Sequence, residues 1–406
     1  MRVFLLALLL VPCLTSAGFY LFSIYSAFEF FSRSKKTPQE EPGYCPPISI
    51  LKSVCGVDDG AYDNLASFCR QDYPQYQVIF GVHDKQDPIL PVIQRLMRDF
   101  EGLDIQLVLC DRVMGANPKV SNLIQMETRA KHPFLLICDS DIRVGKDYLG
   151  RVIQPMRDPS IGVVTGMCHS LSKGGIGTLE ALRESTEFCP HVLVARKLEG
   201  IKFGLGSAIL VRRRALERVG GLNSIADYLA DDFLLGNRIA NAGYTVELSD
   251  LVVEHDLSIQ DFRRFVRRQI RWNRGIRVCR PWGYRGLLFT YGVPASVLFL
   301  AFIGGSPWGW AVFGLTLSIR LMMAYTVGAW FLNDRAARRF LWAVPLQDVV
   351  SFVLWCFGLF GNAVYWRGQY FKLTPEGKLL PGPVGEGAFH QMGMPGSHED
   401  ATAVAH

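Results

Sequence analysis

The sequence predicts an α/β domain placed between an N-terminal transmembrane helix and a C-terminal group of transmembrane segments. Short apolar runs alternate with helix-like segments from residue 48 to about residue 257, a pattern typical of βαβ units. The remaining apolar residues are concentrated near the two ends of the chain. Because 49% of the 406 residues are hydrophobic and the mean hydropathy is +0.17, the chain is too apolar for an ordinary soluble enzyme, and membrane segments are expected.

Charge and cysteine usage narrow the class of protein. The net charge is only +6, and the basic residues cluster between positions 263 and 285, which favours a local anionic contact over a nucleic-acid surface. The ten cysteines are scattered, with no C-x-x-C pair and no finger-like histidine spacing. Several lie within apolar runs, as small buried residues do in reducing compartments. The sequence therefore predicts no nucleic-acid partner, no disulfides and no zinc site.

Residues 1–32 are predicted to form a membrane anchor. They are almost wholly apolar, and as a helix they are long enough to cross about 30 Å of hydrocarbon. A small-residue stretch around Ala17 also resembles a signal-peptide cleavage site. Because the apolar pattern continues well beyond that site, an uncleaved anchor is favoured. The basic residues after it indicate the cytoplasmic side, and residues 33–47, rich in Pro and Glu, form a predicted linker.

The α/β domain is assigned to residues 48–257. Strands are predicted at residues 48–54, 77–82, 105–110, 134–138, 161–165 and 204–211, and helices at residues 64–72 and 89–100. In the last of these strands, Gly204 and Gly206 stand where the backbone has to approach another group closely.

Two carboxylates follow the fourth of these strands. The run Phe134–Cys138 is apolar and too short for a helix, and it ends at Asp139-Ser140-Asp141. In open α/β sheets the ligand crevice lies at the C-terminal ends of the strands. Paired carboxylates there can hold a hard divalent cation that also binds substrate phosphates. A solvated turn is the alternative interpretation of so short a motif.

Other charged side chains are expected near the same edge of the sheet. Asp84 and Asp87 follow the second strand, and Lys119 lies in a turn from which it could reach a phosphate, although an exposed loop lysine is the alternative. Asp231 and Asp232 open a predicted helix, where acidic residues often serve only as caps that the helix dipole favours.

A basic amphipathic helix is predicted at residues 259–277. Apolar residues recur there at helical spacing with arginines between them, and the stretch includes Arg268, Arg271 and Trp272. This pattern is typical of a helix that lies at a membrane surface. Residues 258–285 are therefore assigned to interfacial helices.

The apolar content returns in residues 286–366, which are assigned to C-terminal transmembrane segments. Residues 286–305 and 307–332 are predicted as two spans joined by a tight turn. A third apolar stretch, residues 340–365, is interrupted by Pro345 and Asp348, and it either spans or re-enters. Residues 367–406 are assigned to a tail, disordered in its small, polar and Gly-rich last part.

The order of these motifs resembles that of processive and lipid-linked family-2-type glycosyltransferases. Asp87, Asp139 with Asp141, Asp232 and the stretch 268–272 follow their D, D-x-D, D, (Q/R)-x-x-R-W pattern. Residues 72–76, 117–123 and 139–144 carry a closer resemblance to ceramide glucosyltransferase and, closer still, to the hopanoid-biosynthesis-associated glycosyltransferases of bacteria. Animal ceramide glucosyltransferases tend to have Asp-Ser-Gly at the middle motif, whereas this chain keeps the second aspartate, as the hopanoid-type enzymes do.

The resemblance implies a GT-A-type, Rossmann-like nucleotide-sugar domain and an inverting transfer of a hexose or N-acetylhexosamine from a UDP-sugar to a membrane lipid alcohol. It implies Asp232 as the general base, with Asp231 as the less favoured neighbour, and Mg²⁺ or Mn²⁺ held by Asp139 and Asp141. The donor-binding residues it implies are Asp84, Asp87, Lys119, Asp139, Asp141, Arg268, Arg271 and Trp272.

The acceptor expected from the resemblance is a hopanoid, bacteriohopanetetrol, with UDP-N-acetylglucosamine as donor. Ceramide or diacylglycerol with UDP-glucose is the alternative.

The protein is expected in the bacterial inner membrane, as a multi-pass protein with a cytoplasmic catalytic domain. A processive polysaccharide synthase would usually need more spans for a secretion channel, and a non-catalytic scaffold would not be expected to keep every acidic motif.

Overall fold

A computed structural model describes residues 2–34, 43–172, 174–256 and 261–382 of the chain. Part of the predicted linker, the start of the predicted interfacial helix and the last part of the predicted tail lie outside these residues. The predicted strands and helices of the α/β domain are present, with ends shifted by a few residues.

The central sheet has eight strands in the order β3-β2-β1-β4-β7-β6-β8-β5. They are β1 (Ile48–Val54), β2 (Tyr76–Val82), β3 (Asp104–Leu109), β4 (Phe134–Cys138), β5 (Ile142–Arg143), β6 (Ile161–Leu171), β7 (Ala208–Arg212) and β8 (Thr245–Asp256). Strands β1 to β4 are mutually parallel, and β7 runs antiparallel to β4 and β6. Every residue of β1 and β4 is buried, because both faces of the sheet are covered there.

The helices cover the sheet and extend beyond it at both ends of the chain. They are α1 (Arg2–Ser34), α2 (Ala61–Cys69), α3 (Leu90–Asp99), α4 (Pro118–Glu127), α5 (Tyr148–Val152), α6 (Ile176–Arg183), α7 (Cys189–Glu199), α8 (Arg213–Arg218), α9 (Asp231–Asn241), α10 (Phe262–Cys279), α11 (Pro281–Gly286), α12 (Gly292–Phe302), α13 (Pro307–Ala324), α14 (Arg335–Arg339) and α15 (Val344–Gly358). The π-helical segment Glu184–Phe188 joins α6 to α7, and a second one, Tyr325–Phe331, continues α13.

In the part of the chain that the structure describes, three helical stretches are long and apolar enough to cross a membrane: Leu9–Ser32, Pro307–Phe331 and Leu341–Gly358. A fourth is possible if Pro281–Thr290 and Gly292–Phe302, which are bent by 53°, count as one span. Among the described residues, membrane-length helices therefore stand where the N-terminal anchor and the C-terminal spans are predicted. The tight turn predicted before Pro307 is present, with Gly304 and Gly305 at positive φ.

Helix α15 buries a polar face and exposes an apolar one. Gln347, Asp348 and Ser351 are buried, whereas Leu346, Val353 and Phe357 are exposed. This is the reverse of a helix on a soluble protein, and it fits a helix whose outer face contacts lipid. The buried face contributes Asp348, whose two carboxylate oxygens accept hydrogen bonds from Arg320 of α13 at 2.7 and 2.9 Å.

The Arg320–Asp348 pair is predicted to contribute strongly to stability only as a pair. Asp348→Asn leaves a buried guanidinium without its counter-charge, and we expect it to lower the free energy of unfolding by about 3–5 kcal/mol. Replacing both residues, as Arg320→Met with Asp348→Leu, removes the charges together and should restore most of that loss. The free energy of unfolding of both variants is measured by denaturation of the purified proteins in detergent. Equal stability of Asp348→Asn and the wild type would contradict the prediction.

A second sheet follows α15, where the sequence predicts membrane segment and tail. Strands β9 (Ala363–Trp366), β10 (Gln369–Leu373) and β11 (Leu379–Pro381) form an antiparallel sheet. It is joined to the α/β domain by backbone hydrogen bonds from Leu229 N to Gly377 O at 3.1 Å and from Leu379 N to Asp227 O at 2.7 Å. The end of the predicted membrane segment and the first part of the predicted tail therefore form a sheet, as far as the last described residue, Gly382.

Candidate active site

The candidate site lies at the C-terminal end of β4, where the chain passes from Asp139 to Asp141 and enters β5. Strand β5 pairs with the end of β8, which brings Ile142 opposite His255. The backbone N–H of Asp256 donates to the carbonyl oxygen of Asp141 at 2.8 Å. The D-x-D segment is therefore held between two strands and is not a free solvated turn.

Asp141 faces a histidine that the sequence analysis did not select. The Nε2 atom of His255 lies 3.2 Å from Asp141 Oδ2 and 3.3 Å from Arg268 Nη2. Its Nδ1 atom lies 3.2 Å from Ser170 Oγ and 3.6 Å from Glu184 Oε2. The imidazole is thus oriented from both ring nitrogens, with a carboxylate on each side.

The charges of this group support one another. Burial alone would raise the pKa of the Asp141 carboxyl, but His255 and then Arg268 hold that pKa well below its usual range. Burial would likewise lower the pKa of His255, yet Asp141 and Glu184 raise it to about 10. The two carboxylates thus favour the protonated form of the imidazole. Binding a metal would require the loss of this proton.

Asp139 belongs to a second ion-paired group. Lys119 Nζ lies 2.6 Å from Asp139 Oδ1 and 3.5 Å from Asp231 Oδ2. Lys119 is delivered by the start of α4, where the Asn117 side chain caps the helix by accepting from Lys119 N and Val120 N. Since the Lys119 side chain is only 13% exposed, it is not an exposed loop lysine.

The backbone of Asp139 is anchored by a buried lysine. Lys52, inside β1, is fully buried and donates from Nζ to the Asp139 carbonyl oxygen at 2.7 Å. Burial lowers the pKa of this lysine, against the opposing effect of nearby acidic groups that include Asp141 and Asp139. Lys52, a residue of the sheet itself, thus holds the backbone of Asp139, the first residue of the D-x-D segment.

Asp231 and Asp232 begin α9 but have different surroundings. Asp231 pairs with Lys119 and also accepts from Asn117 Nδ2 at 3.3 Å. In the described part of the chain, Asp232 forms no ion pair, and its Oδ1 accepts only from the N–H of Phe233 at 2.7 Å. The cap position of α9 is Ala230, and no side chain caps the helix. Both acids nevertheless lie in the first turn of α9, where the helix dipole favours carboxylates, so the interpretation as caps remains the alternative to a catalytic role.

Asp232 is held against the glycine segment after α7. The backbone N–H of Gly204 donates to the Asp232 carbonyl oxygen at 3.2 Å. A Cβ atom on Gly206 would lie 2.8 Å from Asp232 Oδ2, so only glycine leaves room for this carboxylate. Burial and, secondarily, Asp231 raise the pKa of Asp232 to about 6. A carboxylate with such a pKa suits general-base catalysis near neutral pH.

Helix α10 adds cationic and aromatic groups above the carboxylates. The Nε atom of Arg268 lies 3.1 Å from Glu180 Oε1 of α6. The guanidinium carbon of Arg268 lies 4.6 Å from the ring centre of Trp272. Arg271 stands 5.2 Å from a Trp366 ring of β9. Burial lowers the pKa of Arg271 to about 10. The predicted arginines and tryptophan are thus brought to the site, and the second sheet contacts them.

Asp84 and Asp87 follow β2, and within the described residues no hydrogen bond or ion pair joins either of them to Asp139 or Asp141. Both oxygens of Asp87 accept from Gly56 N at 3.0 Å, and its Oδ1 accepts from Ile89 N at 2.9 Å. Asp87 therefore fixes the end of β1 to the start of α3. Asp84 is exposed and accepts from Gln86 N at 2.8 Å.

The residues present fit a divalent cation. The side chains of Asp139 and Asp141 remain 40% and 28% exposed, so their oxygens are accessible from the site. Carboxylate oxygens suit Mg²⁺ and Mn²⁺. The Nδ1 atom of His255 faces Ser170 and Glu184, the outer contacts typical of a metal-binding histidine, and its Nε2 lies between Asp141 and Arg268, which would have to move aside for a cation.

One further group of potential metal-ligating atoms occurs among the described residues: Cys168, Glu184 and His255, all within 4.8 Å of one another. Hydrogen bonding accounts for this proximity. Cys168 Sγ donates to Glu184 Oε1 at 2.8 Å, and Ser170 Oγ donates to Glu184 Oε2. The group orients His255 and is not assigned as a separate metal site.

The sequence analysis missed four residues of this site: Lys52, Glu180, Glu184 and His255. Lys52 carried a signal, since it is the one charged residue of the apolar run Ile48–Val54. His255 also carried one, because Glu254-His255-Asp256 ends a strand. The glutamates lie on a helix broken by the π-helical segment and carried no comparable signal.

The chain is similar in sequence to proteins named ceramide glucosyltransferases. The chain is 26% identical over 235 residues to ceramide glucosyltransferase 3 of Caenorhabditis elegans, covering 57% of this chain and 51% of that protein. It is 23% identical over 387 residues to ceramide glucosyltransferase 1 of the same organism, covering 92% of this chain and 81% of that protein. The match to the first of these thus spans about half of that relative's length.

Solved structures of similar shape include the mannosyltransferase PcManGT from Pyrobaculum calidifontis in complex with GDP-Man and Mn²⁺, with a TM-score of 0.48 and 18% identity, covering 84% of this chain and 98% of that one. They also include S. aureus TarS 1–349 in complex with UDP-GlcNAc, with a TM-score of 0.42 and 13% identity, covering 83% and 99%.

The whole arrangement is a mixed α/β fold with a parallel-rich sheet and, in the described residues, apolar helices at both ends that could span a membrane. A family model described as "Glycosyl transferase family 21" matches residues 8–379. The chain belongs to glycosyl transferase family 21.

Proposed function

We propose that this protein is an inverting, UDP-sugar-dependent hexosyltransferase that glycosylates a membrane lipid alcohol. The observation that carries the proposal is that the carboxylates of the site have two different kinds of surroundings. Asp139 and Asp141 are surrounded by cationic side chains, whereas Asp232 forms no ion pair with any described residue and has a pKa raised to about 6. A metal-assisted leaving-group site and a separate general base are the two parts that such a transfer needs.

The donor diphosphate would lie between the D-x-D segment and α10. Asp139, Asp141 and His255 would hold Mg²⁺ or Mn²⁺, which would supply charge neutralisation and orientation at the departing diphosphate. Arg268 and Arg271 would contact the phosphate oxygens from α10, because guanidinium groups bind phosphate through paired hydrogen bonds.

Three other predicted residues complete the donor site in this proposal. Trp272 would cover the diphosphate beside Arg268, to which it is already close. Lys119, which pairs with Asp139 in the free protein, would contact the phosphates once Asp139 binds the cation. Asp84 and Asp87 would face the uridine, with Asp87 acting chiefly by fixing the backbone at Gly56.

In the transfer itself, Asp232 would accept the proton of the acceptor hydroxyl as the oxygen forms a bond to C1 of the sugar. The bond from C1 to the diphosphate breaks in the same displacement. A single base and a direct attack give inversion at C1. Gly204 holds the backbone of Asp232 by donating to its carbonyl oxygen, and Gly206 leaves the space that the carboxylate occupies.

For the acceptor, a hopanoid polyol with UDP-N-acetylglucosamine as donor is our primary proposal. It rests on the second aspartate of the middle motif, Asp141, by which this chain resembles the hopanoid-associated transferases. The similar proteins from C. elegans are named ceramide glucosyltransferases, and they support the alternative of ceramide or diacylglycerol with UDP-glucose. Both alternatives require the membrane location and the lipid acceptor.

The decisive experiment incubates membranes containing the protein with each labelled UDP-sugar and each lipid, followed by mass spectrometry of the products. We expect an N-acetylhexosaminyl hopanoid, absent from membranes that contain the Asp232→Asn protein. A hexosyl ceramide would establish the alternative. A polymeric product would indicate a polysaccharide synthase, and the lack of any product together with the lack of UDP-sugar binding would contradict the proposal.

Activity is expected to fall as the pH decreases below about 6, because a protonated Asp232 cannot accept the hydroxyl proton. Asp231 helps to raise the pKa of Asp232, so Asp231→Asn should move this acidic limb of kcat/KM to lower pH. Rate–pH profiles of the two proteins measure the shift. A limb at the same pH in both would show that another group controls it.

The catalytic domain is proposed to face the cytoplasm of a bacterial inner membrane. Cys69 and Cys110 are buried, so Cys45 and Cys55, which are exposed, are the suitable probes. An impermeant thiol reagent should label them only after the cells are opened. A cysteine at Trp308, introduced as Trp308→Cys beside the α12–α13 turn, should be labelled in intact cells. The opposite pattern would reverse the orientation.

A further inference from the structure

A cavity of 350 Å³ lies where α1, α7 and β8 meet, apart from the candidate active site. Its walls include Glu29 from α1, Arg196 and Lys197 from the last turn of α7, and Glu247 from the start of β8. The active-site residue His255 stands near the other end of β8. With about 3.3 Å per residue, the start of β8 is roughly 30 Å from His255. A ligand in this cavity therefore does not occupy the diphosphate site.

The cavity is at the edge of a predicted membrane span. Glu29 lies in the last turns of the candidate span Leu9–Ser32. Two large apolar side chains of the helices that form the walls are exposed, Tyr25 of α1 by 54% and Leu198 of α7 by 71%. The Lys197 ammonium stands 5.4 Å from the centre of the Tyr25 ring. Charged groups lining a cavity between exposed apolar side chains are typical of the boundary between lipid and water.

The charges of the walls have both signs. Arg196 Nη1 lies 3.0 Å from Glu29 Oε2, and Lys197 Nζ lies 3.7 Å from Glu29 Oε1. The two cations thus share this carboxylate, and their side chains remain 21% and 28% exposed. Glu247 contributes a carboxylate from the opposite element. An anionic group can therefore share the two cations with Glu29, while a cationic group meets Glu247.

We propose that this cavity binds the headgroup of a phospholipid that carries a phosphate and a primary ammonium, the chemistry of phosphatidylethanolamine. Arg196 and Lys197 contact the phosphate through charge-assisted hydrogen bonds, and Glu247 accepts from the ammonium. The acyl chains lie along Tyr25 and Leu198. The volume is near the lower end of the 300–1,000 Å³ range of small-molecule pockets, which suits a headgroup more than a whole lipid. The lipid is a bound component distinct from the acceptor.

Native mass spectrometry tests the proposal on the full-length protein, incubated with equal amounts of phosphatidylethanolamine, phosphatidylcholine and phosphatidylglycerol. We expect selective retention of phosphatidylethanolamine. Arg196→Gln with Lys197→Gln should reduce it by about tenfold or more, since each lost charge-assisted hydrogen bond is worth at least that factor. Arg98→Gln with Lys146→Gln, which removes two exposed cations far from the span, is the charge-matched control and should retain the lipid.

Glu247→Gln tests the contact to the ammonium independently of the contact to the phosphate. Without this carboxylate, the preference for phosphatidylethanolamine over phosphatidylglycerol should disappear while phosphate binding persists. Equal retention of all three lipids by the wild type, or unchanged retention in the Arg196/Lys197 variant, would overturn the proposal. Preference of the wild type for phosphatidylglycerol would also overturn it. Equally strong binding of soluble glycerophosphoethanolamine would show that the ligand is not a lipid.

Discussion

Asp232→Asn is expected to lower kcat by roughly 10²–10⁴-fold, the usual contribution of general-base catalysis, while leaving UDP-sugar affinity nearly unchanged. The amide preserves the size of the side chain and can still accept the hydrogen bond from Phe233 N. It cannot take the proton of the acceptor hydroxyl. Because the interaction exists only in the transition state, turnover should fall without a matching change in donor binding.

Asp231→Asn is the matched control for this result. Asp231 is paired with Lys119 and hydrogen-bonded by Asn117, so its loss should weaken the donor side of the site without removing the base. If the two acids were only caps, each variant would lose about 0.5–2 kcal/mol of stability and keep the turnover of its folded fraction. Measuring kcat, donor Kd and Tm on both proteins separates these outcomes. An inactive Asp231→Asn with an active Asp232→Asn would assign the base to Asp231, and full turnover in both would contradict the mechanism.

Removal of divalent cations by EDTA is expected to abolish transfer, and Mg²⁺ or Mn²⁺ should restore it. Asp139→Asn should reduce both donor affinity and turnover, because it removes a metal ligand and also a partner of Lys119. A second readout does not depend on catalysis: binding of Mn²⁺ in the presence of UDP, followed by electron paramagnetic resonance. We expect tight binding by the wild type and much weaker binding by Asp139→Asn.

Two further variants sharpen the metal test. His255→Gln should weaken Mn²⁺ binding and remove the nitrogen coupling from the resonance spectrum if the imidazole coordinates the ion through Nε2. Cys168→Ser, which keeps a donor to Glu184 and changes no proposed ligand, should bind Mn²⁺ like the wild type. Full activity of the wild type in EDTA would refute the metal assignment.

The sequence by itself determined those features that depend on neighbouring residues. A short, fully apolar run followed at once by two aspartates is a local pattern, and both the buried strand β4 and the acidic turn after it are found where it predicts them. The same holds for α10, whose apolar residues recur at helical spacing, and for the membrane-length helices, which follow from uninterrupted hydropathy. Such patterns reflect burial along one segment and need no knowledge of its partners.

Only the tertiary structure decided which side chains meet. His255 is 114 positions from Asp141 and approaches it because β5 pairs with β8, a contact that no local periodicity encodes. The different roles proposed for Asp231 and Asp232 likewise depend on Lys119 and Gly206, which arrive from other elements. The strands β9 to β11 are too short to show a clear alternation, and they are ordered by antiparallel pairing and by hydrogen bonds to the residues around Leu229. Long-range pairing and packing, which depend on the order of strands in the sheet, therefore built the site from motifs that the sequence contained separately.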